Sequence, residues 1–490
     1  MRVRQALFAL ILAGAVACGG VRPPASAPQA PSGAPPPLPR LQREIAVLLD
    51  APELKRVSWG IDIRSLDRDE ILYARDPQKL LLPASNEKVI TLAAAAERLD
   101  WDFRFTTELS LTGPVDAGVL YGNLVVTGSG DPSLDDWDGK ASGLFRQWAA
   151  ELKARGVSAV TGGVIGDDNR LPDDVLGAGW AWDDLDRSFA TGTGALQFNQ
   201  NTARLVIAPG SAVGEPALAS IQPPGSGLSV RNSVKTSAQQ GPLSIETRRG
   251  AGSPVLEVRG TVPLGATTVV RNVSVVNPTL YFVTALRDAL IASGIEIRGA
   301  ALDVDDLFGQ SAMEYGAPVI TYRSPPLSAL AVTMMKMSQN LFAETLLQAA
   351  GGPPAVRGQL AAWGIEDGSV VVADGSGLSR YNMATAAAFV AVLTHVYRDQ
   401  RLRGPFEASL PVAGRDGTLD DRMKGTAAEG NAHAKTGAFS NARGLTGYVR
   451  SADGESIVFS ILANNFGTTP DVIERTADAI VVKLAEFSRR

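Results

Sequence analysis

Three short strings constrain this chain more than anything else in it: Ser85-Asn86-Glu87-Lys88, Ser338-Gln339-Asn340 and Lys435-Thr436-Gly437, in that order and widely separated. A fold that uses them together has to carry residues hundreds of positions apart in a 490-residue chain into one small cleft. Alone, each string says little, since a Ser-x-x-Lys tetrapeptide is expected about once by chance in a chain of this size and then marks a solvated helix face. Context gives the set its weight. Pro83-Ala84-Ser85 opens a helical pattern in which Val89, Leu92, Ala93, Ala96 and Leu99 recur at spacings of three and four. Ser338 and Asn340 fall in a second helical stretch, and Lys435 lies on a strand followed by two more.

The residue types at these spacings suit nucleophilic acyl transfer. Residues three apart on a helix share a face, so Lys88 can set its amine beside the hydroxyl of Ser85 and take its proton. A lysine is a base near neutral pH only if burial or a neighbouring cation disfavours its charged form, and Lys435 brought close by the fold can supply that push. Ser338 would relay a proton to a departing amine, while Asn340 would orient Lys88 and bind a substrate amide. Lys435 and Thr436 suit the capture of a free carboxylate. Gly437 would let a ligand backbone lie against the strand as an added strand, with the N–H groups of Ser85 and Ala438 as an oxyanion hole.

Composition removes the main competitors. Cys18 is the only cysteine, and His395 and His433 are the only histidines, so disulfide frameworks, zinc sites and imidazole-based hydrolysis drop out, and no metal or cofactor is expected. His395 reads as core and His433 as a packing or rim residue. With Lys and Arg at 46 against 51 for Asp and Glu, the net charge of −5 offers no footprint for nucleic acid.

Arg2 and Arg4 precede an apolar run from Ala6 to Val16, too short to span a bilayer and well sized for a secretory signal over residues 1–17. Ala15-Val16-Ala17 satisfies the small-x-small cleavage pattern, while the same stretch with Cys18 resembles a lipobox that would attach a lipid to Cys18 and tie the protein to a membrane. The position of the sole cysteine favours the second reading. A Pro-, Ala- and Ser-rich stretch follows, giving a tether over 18–43 with nothing to pack.

Val57, Trp59, Ile61 and Ile63 alternate as a strand that Asp67-Arg68-Asp69-Glu70 turns into Ile71-Leu72-Tyr73. From Phe103 the pattern changes to short strands and Gly/Asp turns, and between Val213 and Leu264 Gly, Pro and Ser become dense. Asn277-Pro278 starts a helix that Gly294 stops, a strongly helical stretch runs from Leu330 to Ala350, and a terminal helix over 472–487 closes the chain.

With these residues assembled, the chain resembles the D-alanyl-D-alanine carboxypeptidase/endopeptidase family of low-molecular-mass penicillin-binding proteins, the class C or penicillin-binding protein 4 type. The strings Gly128-Ser129-Gly130-Asp131-Pro132-Ser133-Leu134, Gly179-Trp180-Ala181-Trp182-Asp183-Asp184-Leu185, Phe198-Asn199-Gln200-Asn201 and Ala373-Asp374-Gly375-Ser376-Gly377-Leu378-Ser379-Arg380 are similar to further signatures of that family. The resemblance implies a multidomain α+β fold. Its β-lactamase/transpeptidase-like catalytic domain, an antiparallel sheet with helices on both faces, would be built from 44–103 and 319–490. One inserted domain would span 104–213 and 265–318, with a β-rich domain over 214–264 nested in it. It also implies a serine-type carboxypeptidase and endopeptidase acting on peptidoglycan stem peptides through an acyl-enzyme on Ser85, and β-lactams as covalent inhibitors. Asp183 then falls where the family recognises the amino group of the peptide side chain, Arg380 flanks that pocket, and Ala438 and Ser440 lie in a variable part of the substrate-binding strand. The rivals to this reading are a β-lactamase and a catalytically silent wall-binding or penicillin-sensing module.

Overall fold

The computed structural model describes residues 36–172, 176–307 and 315–490. Helix α1 (Pro37–Leu49) comes first, and it shortens the tether expected to run to residue 43. Proline is suited to the first helical turn, and Leu41, Ile45 and Leu49, four apart, are buried in a core shared with the sheet that follows. The signal segment and Cys18 lie outside the described residues.

The alternating residues around Trp59 form β1 (Ser58–Ser65), which returns as β2 (Glu70–Arg75). Helix α2 (Glu87–Leu99) is next. The rest of this unit comes from far along the chain: α3 (Leu327–Lys336), α4 (Asn340–Ala349), α5 (Ala386–Arg398), β3 (His433–Phe439), β4 (Ala442–Arg450), β5 (Ser456–Asn464) and α6 (Pro470–Glu486). The five strands make one antiparallel sheet in the order β2-β1-β5-β4-β3, so a strand from residue 58 onward lies beside one that ends at residue 464.

Strand alternation sorts β5 between two cores. Ile457, Phe459, Ile461 and Ala463 face α1 and α6, while Val458 and Leu462 face α2, α4 and α5. Every residue of β5 is buried, as a central strand covered on both faces must be. Deleting Phe459 to alanine would cost roughly 3–5 kcal/mol through lost burial and the cavity left behind.

The helical stretch expected from Leu330 to Ala350 is broken. Helix α3 ends at Lys336, α4 begins at Asn340, and Ser338 between them has φ 55°. A non-glycine residue held there costs about 1–2 kcal/mol. The break aims Ser338 at Lys435, which a continuous helix would not do.

Between α2 and α3 the chain builds two further layers. Strands 106–111, 124–128, 164–167, 301–303 and 320–323 form one sheet, covered by helices Lys140–Ala154 and Pro278–Ala292 through Phe145, Trp148, Phe282 and Leu286. Ile320–Arg323 pairs with Thr106–Leu111, so this unit runs past the boundary expected at 318. The β-rich unit is also larger than 214–264. Strands Thr202–Ala208 and Val269–Ser274 pair with each other, and Leu205, Ile207 and Val273 share a core with Val234, Ile245 and Leu256. Gly and Pro density marks loops, whereas these limits are set by pairings between distant strands.

Candidate active site

Ser85 sits on a single helical turn, Ala84–Asn86, immediately before α2. Two glycines hold this turn against the sheet. A Cβ on Gly437 of β3 would meet the Asn86 amide nitrogen at 2.5 Å and the Pro83 carbonyl at 2.6 Å, and one on Gly444 of β4 would meet the same amide at 1.9 Å. The approach of the Ser85 turn is enough on its own to require glycine at 437.

The strings that are far apart in sequence meet beside this turn. As an ammonium, Lys88 donates to Ser85 Oγ at 2.9 Å, to Asn340 Oδ1 at 2.6 Å and to the Ser376 carbonyl at 2.8 Å. Lys435 donates to Ser338 Oγ at 2.8 Å and to the Thr436 carbonyl at 2.9 Å. Each serine is thus held by its own lysine. Asn340 also donates to the Phe189 carbonyl at 2.7 Å, which ties α4 to the wall contributed by the inserted unit. The Thr436 hydroxyl donates to that of Thr418 at 2.8 Å.

Both lysines are fully buried, and this disfavours their charged forms. Burial lowers the Lys88 amine to about 7, against the pull of the Glu344, Asp374 and Glu87 carboxyls in the other direction. Lys435 is pushed well below the ordinary lysine range by burial first and by the nearby Lys88 charge second. A neutral lysine amine has two N–H groups and one lone pair. Asn340 Oδ1 and the Ser376 carbonyl can only accept, so they take the two N–H groups and leave the lone pair for the hydroxyl of Ser85.

An open cleft of about 960 Å³ lies over these groups, lined by Ser85, Ser338, Asn340, Thr436, Ala438 and Ser440 together with Asp184, Phe189, Leu378, Arg380, Thr418 and Phe439. Arg380 stacks over the Phe439 ring at 3.8 Å. Asp183 is exposed and does not line the cleft. Its neighbour Asp184 does, with its carboxyl raised first by burial and then by the Asp183 charge. His433 lines a different cavity, with Tyr397 and Glu407. His395 is not core but half-exposed, stacked on Trp363 at 4.5 Å. Thr418 and Phe189 carry no signal in the sequence, because they come from loops without periodicity, whereas Leu378 lies in the string Ala373 to Arg380.

A serine hydroxyl hydrogen-bonded to a buried lysine of lowered basicity, at a helix start beside an antiparallel sheet, defines a serine-type peptidase, a hydrolase. The model of the D-Ala-D-Ala carboxypeptidase 3 (S13) family matches residues 41–487, and the chain belongs to that family. It is 33% identical over 476 residues to a D-alanyl-D-alanine carboxypeptidase of Actinomadura sp. (strain R39), covering 92% of this chain and 85% of that protein. It is 28% identical to the D-alanyl-D-alanine carboxypeptidase DacB of Haemophilus influenzae, over 86% and 88% of the two chains. The crystal structure of penicillin binding protein 4 from Haemophilus influenzae superposes with a TM-score of 0.78 at 25% identity, covering 90% of this chain and 97% of the other.

Proposed function

We propose that this protein removes the terminal D-alanine from peptidoglycan stem peptides, and opens D-alanyl cross-links between them, through an acyl-enzyme on Ser85. The observation that carries this reading is the 2.9 Å contact between Lys88 Nζ and Ser85 Oγ, made by an amine whose other two partners are obligate acceptors. Lys88 takes the Ser85 proton as Oγ attacks the penultimate D-alanyl carbonyl. The N–H groups of Ser85 and Ala438 hold the developing oxyanion. The C–N bond then breaks as Ser338, itself held by Lys435, relays to the departing amine the proton that Lys88 took from Ser85, so Lys88 is neutral again for the water step. Water hydrolyses the ester and restores Ser85.

Thr436 receives the terminal carboxylate at the cleft wall, with the buried Lys435 behind it, and the run Ala438 to Ser440, exposed at both ends, offers an edge along which the peptide lies. Asp184 and Arg380 face the substrate's side chain, Asp184 in place of the Asp183 suggested by the sequence. A β-lactam acylates Ser85 in the same way and leaves slowly. Cell-wall chemistry places the protein outside the cytoplasm, delivered by the N-terminal signal, with Cys18 as the site of a lipid anchor. Among the described residues, no helix is long and apolar enough to cross a membrane.

The test is intact-protein mass spectrometry after exposure to penicillin, beside an assay of D-alanine release from wall fragments. The wild-type chain should gain one long-lived adduct and release D-alanine, and Ser85→Ala should do neither. Fast penicillin turnover without an adduct would make it a β-lactamase, and peptide binding without D-alanine release would make it a silent wall-binding module.

A further inference from the structure

The reaction outlined above uses the face of Lys88 turned to the cleft and leaves the layer behind it without a part. Three carboxyls lie there: Glu87 on α2, Glu344 on α4 and Asp374 on the segment before α5, at 0, 5 and 2% exposure. None of them lines the cleft. With Lys435 on β3, they are the titratable groups coupled to Lys88, and burial pushes the Glu87 carboxyl well above its ordinary range and that of Glu344 up to about 8.

Asp374 is the best connected. Its Oδ1 accepts from the Gly377 N–H at 2.8 Å and from Asn382 at 2.5 Å, and its Oδ2 accepts from Trp180 at 2.9 Å and the Ser379 N–H at 2.5 Å. The peptide between Ser376 and Gly377 is thereby held at both ends. Its N–H rests on Asp374 and its C=O on Lys88 Nζ. Glu344 anchors the preceding N–H groups of Gly375 and Ser376 at 3.1 and 2.7 Å, and the Thr91 hydroxyl, one turn beyond Lys88 on α2, donates to the Gly375 carbonyl at 2.7 Å. Gly377 has φ +84°, and a Cβ there would stand 1.9 Å from the Ala84 carbonyl, so this peptide is pressed against the turn that carries Ser85.

A peptide whose N–H is bound to a carboxylate is a stronger acceptor at its carbonyl, because hydrogen bonds in a chain polarise one another. Two fixed acceptors are what turn the third position of a lysine amine, its lone pair, in one direction. We propose that Asp374 is a positioning residue for acyl transfer: it clamps the Ser376–Gly377 peptide so that the Ser376 carbonyl occupies one N–H of Lys88 and the lone pair faces Ser85. This inference rests on the reading of Ser85 and Lys88 given above.

The experiment is stopped-flow acylation of the purified full-length chain by a fluorescent penicillin across pH, for wild type, Asp374→Asn and Thr91→Val. Asp374→Asn should slow the acylation step by about tenfold to a hundredfold through misdirection of the amine. It should also move the acid midpoint of the rate to lower pH, because a negative charge near Lys88 is gone. Pre-equilibrium affinity for penicillin should be unchanged. Thr91→Val loosens the same segment without altering charge, so it should slow acylation and leave the midpoint where it was.

A folded Asp374→Asn with wild-type rate and midpoint would overturn the inference. So would a loss of melting temperature in both variants with no change in acylation. Should Asp374→Asn fail to fold, a wild-type rate in Thr91→Val overturns it on its own. Absence of any adduct on the wild-type chain would instead refute the underlying reading of Ser85, a separate result.

Discussion

The amine of Lys88 meets the side-chain oxygen of Asn340 at 2.6 Å across 252 positions of sequence. This contact joins α2 to α4, and because Asn340 also donates to Phe189, it links the lysine to the wall of the cleft. Asn340→Ala should therefore lose an acceptor for Lys88 and a cleft strut together. Acylation by penicillin is expected to fall by about a hundredfold, with KM for stem peptides rising as well. An Asn340→Ala protein that acylates at the wild-type rate would remove this residue from the mechanism.

The pH dependence of acylation follows from Lys88. Its amine must be neutral to accept the Ser85 proton, and burial lowers it to about 7. Below that value the ammonium has no lone pair to offer. The rate of adduct formation, followed from about pH 5 to about pH 9, should thus rise through a midpoint near 7 and level off above it. A profile that climbs only near the ordinary lysine range of about 10 would show that burial does not tune this group.

Stability should carry the imprint of Lys435. In the unfolded chain this lysine takes up its proton as pH falls through about 10, whereas in the folded chain burial and the Lys88 charge hold its amine well below that. The unfolded state binds more protons throughout the interval, so lowering pH across it destabilises the fold. Lys435→Met removes this dependence. The melting temperature of the variant relative to wild type should rise as pH is lowered from about 10 and become constant below the folded-state value. A difference that does not vary with pH would contradict it.

Two adjacent carboxylates make a sharp comparison. Asp184 lines the cleft near Arg380 and Asp183 is exposed. Asp184→Asn should raise KM by about tenfold for stem peptides bearing a free side-chain amine, since a charge-assisted contact is lost. Asp183→Asn should leave KM close to wild type. The reverse ranking, measured on one diamino-acid peptide, would return the subsite to Asp183.

The choice between these two neighbours shows where sequence reading runs out. The hairpin of β1 and β2, the start of α2 and the three closing strands were legible because each carries a period of two or about three and a half bounded by turn residues. Asp183 and Asp184 sit in a single turn with no period, so nothing local says which of them points inward. The break at Ser338 was hidden for a related reason. Met334, Met335, Leu341 and Phe342 are apolar on both sides of it, and only the tertiary contact with Lys435 reveals the left-handed residue between. The limits of the inserted units were misjudged because strand pairing between 106–111 and 320–323 leaves no mark in composition. Asp374 and Ser376 lie in the string Ala373 to Arg380 that resembles a family signature, but a buried carboxyl hydrogen-bonded to the backbone cannot be told from a loop acid by its letter alone.

The pairing of β1 with β5 also sets a timetable for the living chain. The ribosome delivers Ser85 and Lys88 first, yet the strand that completes their sheet and Lys435 follow only hundreds of positions later. Until then the hydroxyl stands beside an open edge, so a product truncated before residue 433 carries Ser85 and Lys88 but no working cleft. On the proposed reading, hydrolytic power is withheld until both ends of the catalytic sheet have been made.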